Sequence, residues 1–227
     1  MMASSGPTAA DCLLIATGNA GKLREVRSLL ETWSPGDSAT AGEVKPARWS
    51  GEIVGLDRFP DLPPAVESAD TFAGNAAIKA THFSSRTGLI TLADDSGLAV
   101  DALEGRPGVY SARYAGEHAT DVDNNRKLME ALSSVPSDER SARFCCAMAV
   151  AIGDEVVLTA YGVWEGQITT EAHGEFGFGY DPYFLVPNHG KTAAELPPEV
   201  KNAESHRGKA LRTVLPALVS LIATHQH

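Results

Sequence analysis

The chain is short of basic residues, of cysteine and of long apolar runs, and each shortage removes a class of function. Lysine and arginine number 19 against 29 acidic residues, giving a net charge of −10 at pH 7. Binding to a nucleic-acid polymer is dominated by basic neutralisation of phosphates, so no such partner is expected. A small phosphorylated ligand stays open, because it needs only a few local cations or a metal. The three cysteines are Cys12, Cys145 and Cys146. Their number is odd and they have no metal-ligand spacing, which points to buried thiols in a reducing compartment. No apolar stretch is long enough to span a bilayer. Residues 1–11 have neither the basic region nor the apolar run of a signal peptide. The expectation is a soluble cytoplasmic protein with no membrane partner.

What is present is ordinary for a folded protein. The 227 residues are 43 % hydrophobic and 21 % charged, enough for one large α/β domain or two lobes sharing a core. Residues 1–11 are small and polar and read as a disordered tail. Residues 12–16 predict a short buried strand, and a turn at 17–22 leads into a helix with Leu23, Val26, Leu29 and Leu30 on one side. Residues 34–66 hold five prolines and four glycines and predict a surface excursion with one strand. Thr71 is placed to cap a helix running to about Arg86. A strand at 89–93 follows, then an irregular stretch at 95–120, and Asp121 caps a helix to Leu132. Two apolar runs, 142–152 and 155–164, joined by Gly153-Asp154, predict a hairpin. Ser205 caps a last helix, which Pro216 should kink. Alternating strand and helix followed by a hairpin predicts a mixed sheet.

Four segments carry chemistry. The apolar run 89–93 ends in Asp94-Asp95-Ser96-Gly97, which reads as a buried strand delivering acidic oxygens to a crevice beyond its end. Adjacent carboxylates are costly unless solvated or matched by a cation, and Mg²⁺ prefers such oxygens. The same four residues are also good turn chemistry. Thr17, Gly18, Asn19, Ala20, Gly21 and Lys22 form a strand-to-helix turn able to cradle phosphate at a helix N-terminus. It is not a Walker A loop, and taken alone the segment reads first as a plain tight turn. Residues 174–182 mix glycines with Phe176, Phe178 and Tyr180. A ring on such a loop can stack on a base, or simply pack. Ser205-His206-Arg207-Gly208-Lys209 puts cations at a helix start, against the dipole, with Lys201 nearby. That favours an anionic or acceptor-rich ligand, or a solvated basic patch.

Taken in order, residues 17–22, 71–76, 93–98, 107–114, 177–182 and 205–211 resemble the inosine/xanthosine triphosphate pyrophosphatase family. The resemblance runs from about Cys12 to Leu218. It implies that residues 12–224 form a single two-lobed domain, an α/β fold around a long curved mixed β-sheet flanked by helices, with the nucleotide in the cleft between lobes. It implies a homodimer and Mg²⁺-dependent hydrolysis of deaminated purine nucleoside triphosphates to monophosphate and pyrophosphate. It implies Asp95 as general base and Glu67 with Asp95 as metal ligands. Lys22, Lys79 and the backbone of 17–21 would hold phosphates. Ser96, Gly179, Tyr180, Asp181 and Lys201 would line the nucleotide, with Phe178 stacked on the base and His206 and Arg207 donating to its 6-oxo group. Two departures stand out. Gly74 sits where the family often has Glu, and the 34–66 excursion is long, which makes Glu67 the best match for the upstream acid. A pyrophosphatase for other modified nucleotides, such as methylated pyrimidines, and a non-catalytic nucleotide-binding regulator are the alternatives.

Overall fold

A strand without a polar face is stable only between neighbours, and β1 (Cys12–Ile15) is buried along its whole length. The computed structural model describes residues 12–32 and 51–225. The expected tail at 1–11 and most of the 34–66 excursion lie outside the described residues. Strands β2 (Glu52–Gly55) and β3 (Ile90–Val100) flank β1, both parallel to it. Then come β4 (Ser141–Ile152), β5 (Glu155–Ile168), β6 (Phe184–Val186) and β7 (Lys191–Thr192), in the order β2-β1-β3-β4-β5-β6-β7. The β5–β6 and β6–β7 pairs are antiparallel, so the sheet is mixed, as the pattern predicts. Gly153, at φ +58°, makes the two-residue turn between β4 and β5.

The chain divides into two compact units. One comprises Met1–Asp94, Ala147–Tyr161 and Ala210–His227, the other Asp95–Cys146 and Gly162–Lys209. In the first unit, α1 (Ala20–Thr32) buries Val26 and Leu30. Helix α2 (Phe72–Thr87) places Ala76, Ala80 and Phe83 at helical spacing. They share a core with Leu14, Ala93 and the alternate β4 residues Ala147, Ala149 and Ala151. In the second unit, Phe184 is the centre of an aromatic cluster, 4.4 Å from Phe144 and 5.4 Å from Trp164 between ring centroids. Leu98, Leu128, Leu132 and Ile168 complete that core around α3 (Asp121–Ala131).

Three expectations need correction. The strand does not end at residue 93, and Asp94-Asp95-Ser96-Gly97 is not a turn: β3 continues to Val100. Neighbours supply what the turn residues would have sought. The Leu98 N–H donates to Ser111 Oγ at 2.9 Å, and Ala99 bridges Pro107. Gly97 allows this, since a Cβ there would collide with the Ser111 hydroxyl. The stretch 95–120 is accordingly ordered, with 3₁₀ turns at Asp101–Leu103 and Gly108–Arg113. Finally, α3 is capped by Thr120, not Asp121. The Asp123 N–H donates to Thr120 Oγ at 3.2 Å, and Asp123 Oδ2 accepts from the Thr120 N–H at 3.1 Å. The Thr120 contacts hold the Asp123 carboxyl below its ordinary range.

Other caps form as read. Thr71 Oγ accepts from the Gly74 N–H at 3.1 Å. Ser205 Oγ accepts from the Gly208 N–H at 3.1 Å and opens α5 (His206–His225), which continues through Pro216. Gly74, where the resemblance implies Glu, has a packing reason. A Cβ there would lie 2.6 Å from Ala69 Cβ and 3.0 Å from the capping Thr71 hydroxyl. In an open helix Gly→Ala gains about 1 kcal/mol. Here Gly74→Ala is expected to lower the thermal midpoint, and adding Ala69→Gly to recover it. A single variant that melts higher than wild type would show the approach to be loose.

Tyr180 is buried, and its hydroxyl donates to the Ser111 carbonyl at 2.8 Å. Burial, with smaller contributions from Tyr114 and Asp121, pushes the phenol well above its ordinary value of about 10. The unfolded phenol therefore ionises first, and stability contributed below about pH 10 is lost as pH rises beyond it. Melting curves between pH 9 and 11 should steepen downward in wild type and less so in Tyr180→Phe. Equal slopes would remove Tyr180 from the alkaline transition.

Candidate active site

In the first unit, β1 runs through Thr17-Gly18-Asn19 into α1. Asn19 is the N-cap: its Oδ1 accepts from the Gly21 N–H at 2.8 Å and the Lys22 N–H at 3.0 Å. Its own N–H donates to Thr17 Oγ1 at 3.2 Å. The cradle is thus an Asn-capped turn of fixed shape. Gly18 is exposed at its rim with open space around its Cα. Helix α1 starts early enough to put Lys22 in its first turn, where Nζ lies 3.2 Å from Asp94 Oδ2. That gives Asp94, which the sequence left without a role, a clear one. It is buried in β3 and holds the lysine of the cradle in place.

The sequence treated Glu67 and Lys79 as separate contacts, for metal and for phosphate. The structure joins them: Lys79 Nζ is 3.1 Å from Glu67 Oε2. Lys79 lies on the buried side of α2, while Glu67 stays a third exposed. The segment bearing Glu67 is tied to the helix by Asn75, whose Oδ1 accepts from the Ala69 N–H at 3.0 Å.

In the second unit, Asp95 and Ser96 follow on β3. The Arg207 guanidinium donates to Ser96 Oγ at 2.9 Å. Its central carbon lies 5.6 Å from the centroid of the Phe178 ring, and Lys201 Nζ lies 5.1 Å from the same ring. Lys201, on α4 (Pro198–Glu204), also meets Asp181 Oδ2 at 2.6 Å. The same carboxylate oxygen accepts from the Phe178 N–H at 2.9 Å. Gly177, at φ +79°, makes room for it, because a Cβ there would strike the Asp181 carboxylate. Lys201 and Arg207 are both nearly fully buried, so these cations do not form a solvated patch. Both lie near one aromatic ring, a combination suited to a flat, acceptor-rich, anionic ligand.

His206 follows Ser205 at the start of α5. Its ring stacks on Phe144 at 4.9 Å with planes 15° apart, inside the aromatic core. Sequence reasoning missed three residues that hold the site: Ser111, which binds both β3 and Tyr180, and Asp121 and Asn125, which bind Gly179. Their signal is weak because serine, aspartate and asparagine in loops and caps are common.

Among the described residues no group of three or more His, Cys, Asp or Glu is close enough to cage a metal. Mg²⁺ does not need such a cage, since it binds through one or two carboxylates together with substrate phosphates. Glu67 and Asp95 are hard oxygen donors of the right chemistry for that mode.

The model of the Ham1 family matches residues 13–217. A dITP/XTP pyrophosphatase of Shigella flexneri is 48% identical over 212 residues, covering 91% of this chain and 97% of that protein. That of Vibrio cholerae is 46% identical over 208 residues, covering 91% and 96%. Among solved structures, a HAM1 protein from Coxiella burnetii superposes with a TM-score of 0.74 at 40% identity, covering 94% and 98%. A nucleoside-triphosphatase/dITP/XTP pyrophosphatase from Mycobacterium abscessus superposes with a TM-score of 0.66 at 41% identity, covering 90% and 99%. With a match along nearly its full length and the cradle, acidic strand and aromatic loop all present, this chain belongs to the Ham1 family.

Proposed function

We propose that the protein is a nucleoside triphosphate pyrophosphatase. It hydrolyses dITP, ITP and XTP to the monophosphate and pyrophosphate and so clears deaminated purines from the nucleotide pool. The observation that carries this is the Phe178 ring with the buried cations Lys201 and Arg207 5.1 and 5.6 Å from its centroid, Arg207 being tied to Ser96 of the acidic strand. The dITP/XTP pyrophosphatase activity of relatives at 46–48% identity supports the same reading. The protein acts as a homodimer, by family resemblance, its free cysteines suit the reducing cytoplasm, and the net charge of −10 speaks against a nucleic-acid polymer as partner. No helix among the described residues is long and apolar enough to cross a membrane.

A triphosphate repels incoming water, so its oxygens must be neutralised and the nucleophile aimed at the α-phosphorus. Lys22, steadied by Asp94, and Lys79, steadied by Glu67, supply positive charge to the phosphates. The Asn19-capped turn places Lys22 at the N-terminus of α1, where the dipole favours anions. By family resemblance Glu67 and Asp95 are the carboxylates that would serve Mg²⁺, which when bound would supply further positive charge to the phosphates. Asp95 accepts the proton of the attacking water, and pyrophosphate leaves in line.

The base is read by hydrogen bonds. Hypoxanthine and xanthine carry an acceptor at position 6, which suits the Arg207 donors, whereas adenine places a donor there. Phe178 stacks on the base, and Asp181 fixes both the ring's backbone and Lys201.

Turnover of a nucleotide panel with and without Mg²⁺ tests the assignment. Inosine and xanthosine triphosphates should release pyrophosphate only with Mg²⁺ present. Release of orthophosphate, or binding without turnover, would sink it. Asp95→Asn should lower kcat by roughly 10²–10⁴, the usual worth of a general base, with the fold retained. Near wild-type turnover would remove Asp95 from the mechanism.

Arg207→Ala should cost inosine triphosphate about ten- to a hundredfold in kcat/KM, one charge-assisted bond, and adenosine triphosphate far less. Equal losses for both nucleotides would assign Arg207 to the phosphates or the fold.

A further inference from the structure

The loop that carries Phe178 is held at its base, where the His173 N–H donates to the Pro182 carbonyl and the Phe176 N–H to the Ala194 carbonyl, each at 2.9 Å. Residues 171–177 are all exposed, and three glycines, Gly174, Gly177 and Gly179, adopt positive φ. Exposed glycines favour many conformations in a free chain, so each bond that orders the segment before binding spares affinity. The peptide immediately after Phe178 is gripped at both ends from a different element. The Gly179 N–H donates to Asp121 Oδ2 at 2.7 Å, and Asn125 Nδ2 donates to the Gly179 carbonyl at 2.8 Å. Asp121 and Asn125 are four residues apart on α3 and so lie on one face of the helix. Gly179, at φ +62°, turns both its polar groups toward that face.

The gripping helix is itself anchored. Asn124 Oδ1 accepts from the Ala115 N–H at 2.8 Å, and its Nδ2 donates to the Ala112 carbonyl at 3.1 Å. The neighbouring Ser111 binds β3 through the Leu98 N–H and receives the Tyr180 hydroxyl. The two ends of the Phe178–Tyr180 segment are thereby referred back to the strand that bears Asp95. Neither α3 residue is needed to start its helix, since Thr120 and Asp123 already form the cap. Asn125 is buried with no hydrogen-bond partner for its Oδ1 among the described residues, a cost an apolar residue there would avoid. A position serving only packing would not carry it.

The geometry points to Asp121 and Asn125 as positioning residues that set the Phe178 loop for base binding before the nucleotide arrives. They act through Gly179, not by touching substrate. The inference rests on the reading that Phe178 stacks on the base.

Two measurements test it: amide hydrogen exchange of residues 174–180 in the ligand-free protein, and KM and kcat for inosine triphosphate. Loss of one charge-assisted bond in Asp121→Ala should speed exchange and raise KM by about tenfold each, with kcat changed less than about twofold. Asp121→Asn keeps an acceptor oxygen without the charge and should recover most of both effects. Asp123→Ala breaks the cap of the same helix. It should lower the thermal midpoint while leaving loop exchange and KM alone. Unchanged loop exchange in Asp121→Ala, or an equal KM rise in Asp123→Ala, would overturn the inference. Phe178→Ala separates the two readings. If it raises KM and Asp121→Ala does not, the positioning role is wrong. If it leaves KM unchanged, base stacking is wrong and the positioning role in binding goes with it.

Discussion

A carboxylate buried in a strand must be matched by donors or cations, and β3 carries two in succession, Asp94 and Asp95, both nearly inaccessible. Most of the site's local structure can be read as a response to that constraint. Asp94 meets Lys22, which requires α1 to begin at Ala20 and its first turn to be held by Asn19. Ser96 receives Arg207, which requires α5 to begin at His206 under the Ser205 cap. Gly97 has no side chain, so that Ser111 can reach the Leu98 N–H and keep the strand extended. A turn at this point would have solvated the acids and dispersed the partners.

The buried cations obey the same rule from the other side. Lys201 and Arg207 oppose ordinary solvation, and Arg207 also lies at a helix start where the dipole disfavours it. Asp181, Ser96 and the Phe178 ring offset that cost. An ion pair such as Lys201–Asp181 adds little net stability, yet removing one partner costs roughly 3–5 kcal/mol because the other charge is stranded. Its value is positional: it ties the loop residue Asp181 to α4, and through the Phe178 N–H it sets where the ring stands. The first unit follows a parallel logic, with Glu67 fixed by Lys79 while Gly74 and Asn75 hold the segment that bears it.

Several elements were legible from local chemistry alone. The helix after Thr71 begins with a side-chain cap and ends at Gly88 in the left-handed region, both short-range effects. The Gly153-Asp154 hairpin follows from two apolar runs and a turn dipeptide. The length of β3 was not legible, because Asp-Asp-Ser-Gly has a turn propensity that only distant partners override. The α3 cap was misplaced by one residue because Thr120 and Asp121 are both good capping types, and the choice depends on where Asp123 returns its bond.

By itself the sequence determined the mixed α/β class, the order of most elements and the residue types that chemistry needs: acids on a strand, a lysine in a capped turn, an aromatic glycine loop and a basic helix start. These depend on spacing and on contacts within a few residues. Only the tertiary structure decided the pairings. It gave Asp94 to Lys22 and Glu67 to Lys79, set Lys201 and Arg207 about Phe178, turned His206 onto Phe144, and joined α3 to Gly179. Each of these joins residues far apart in sequence, and local propensity carries no information about which distant donor will meet a buried acceptor.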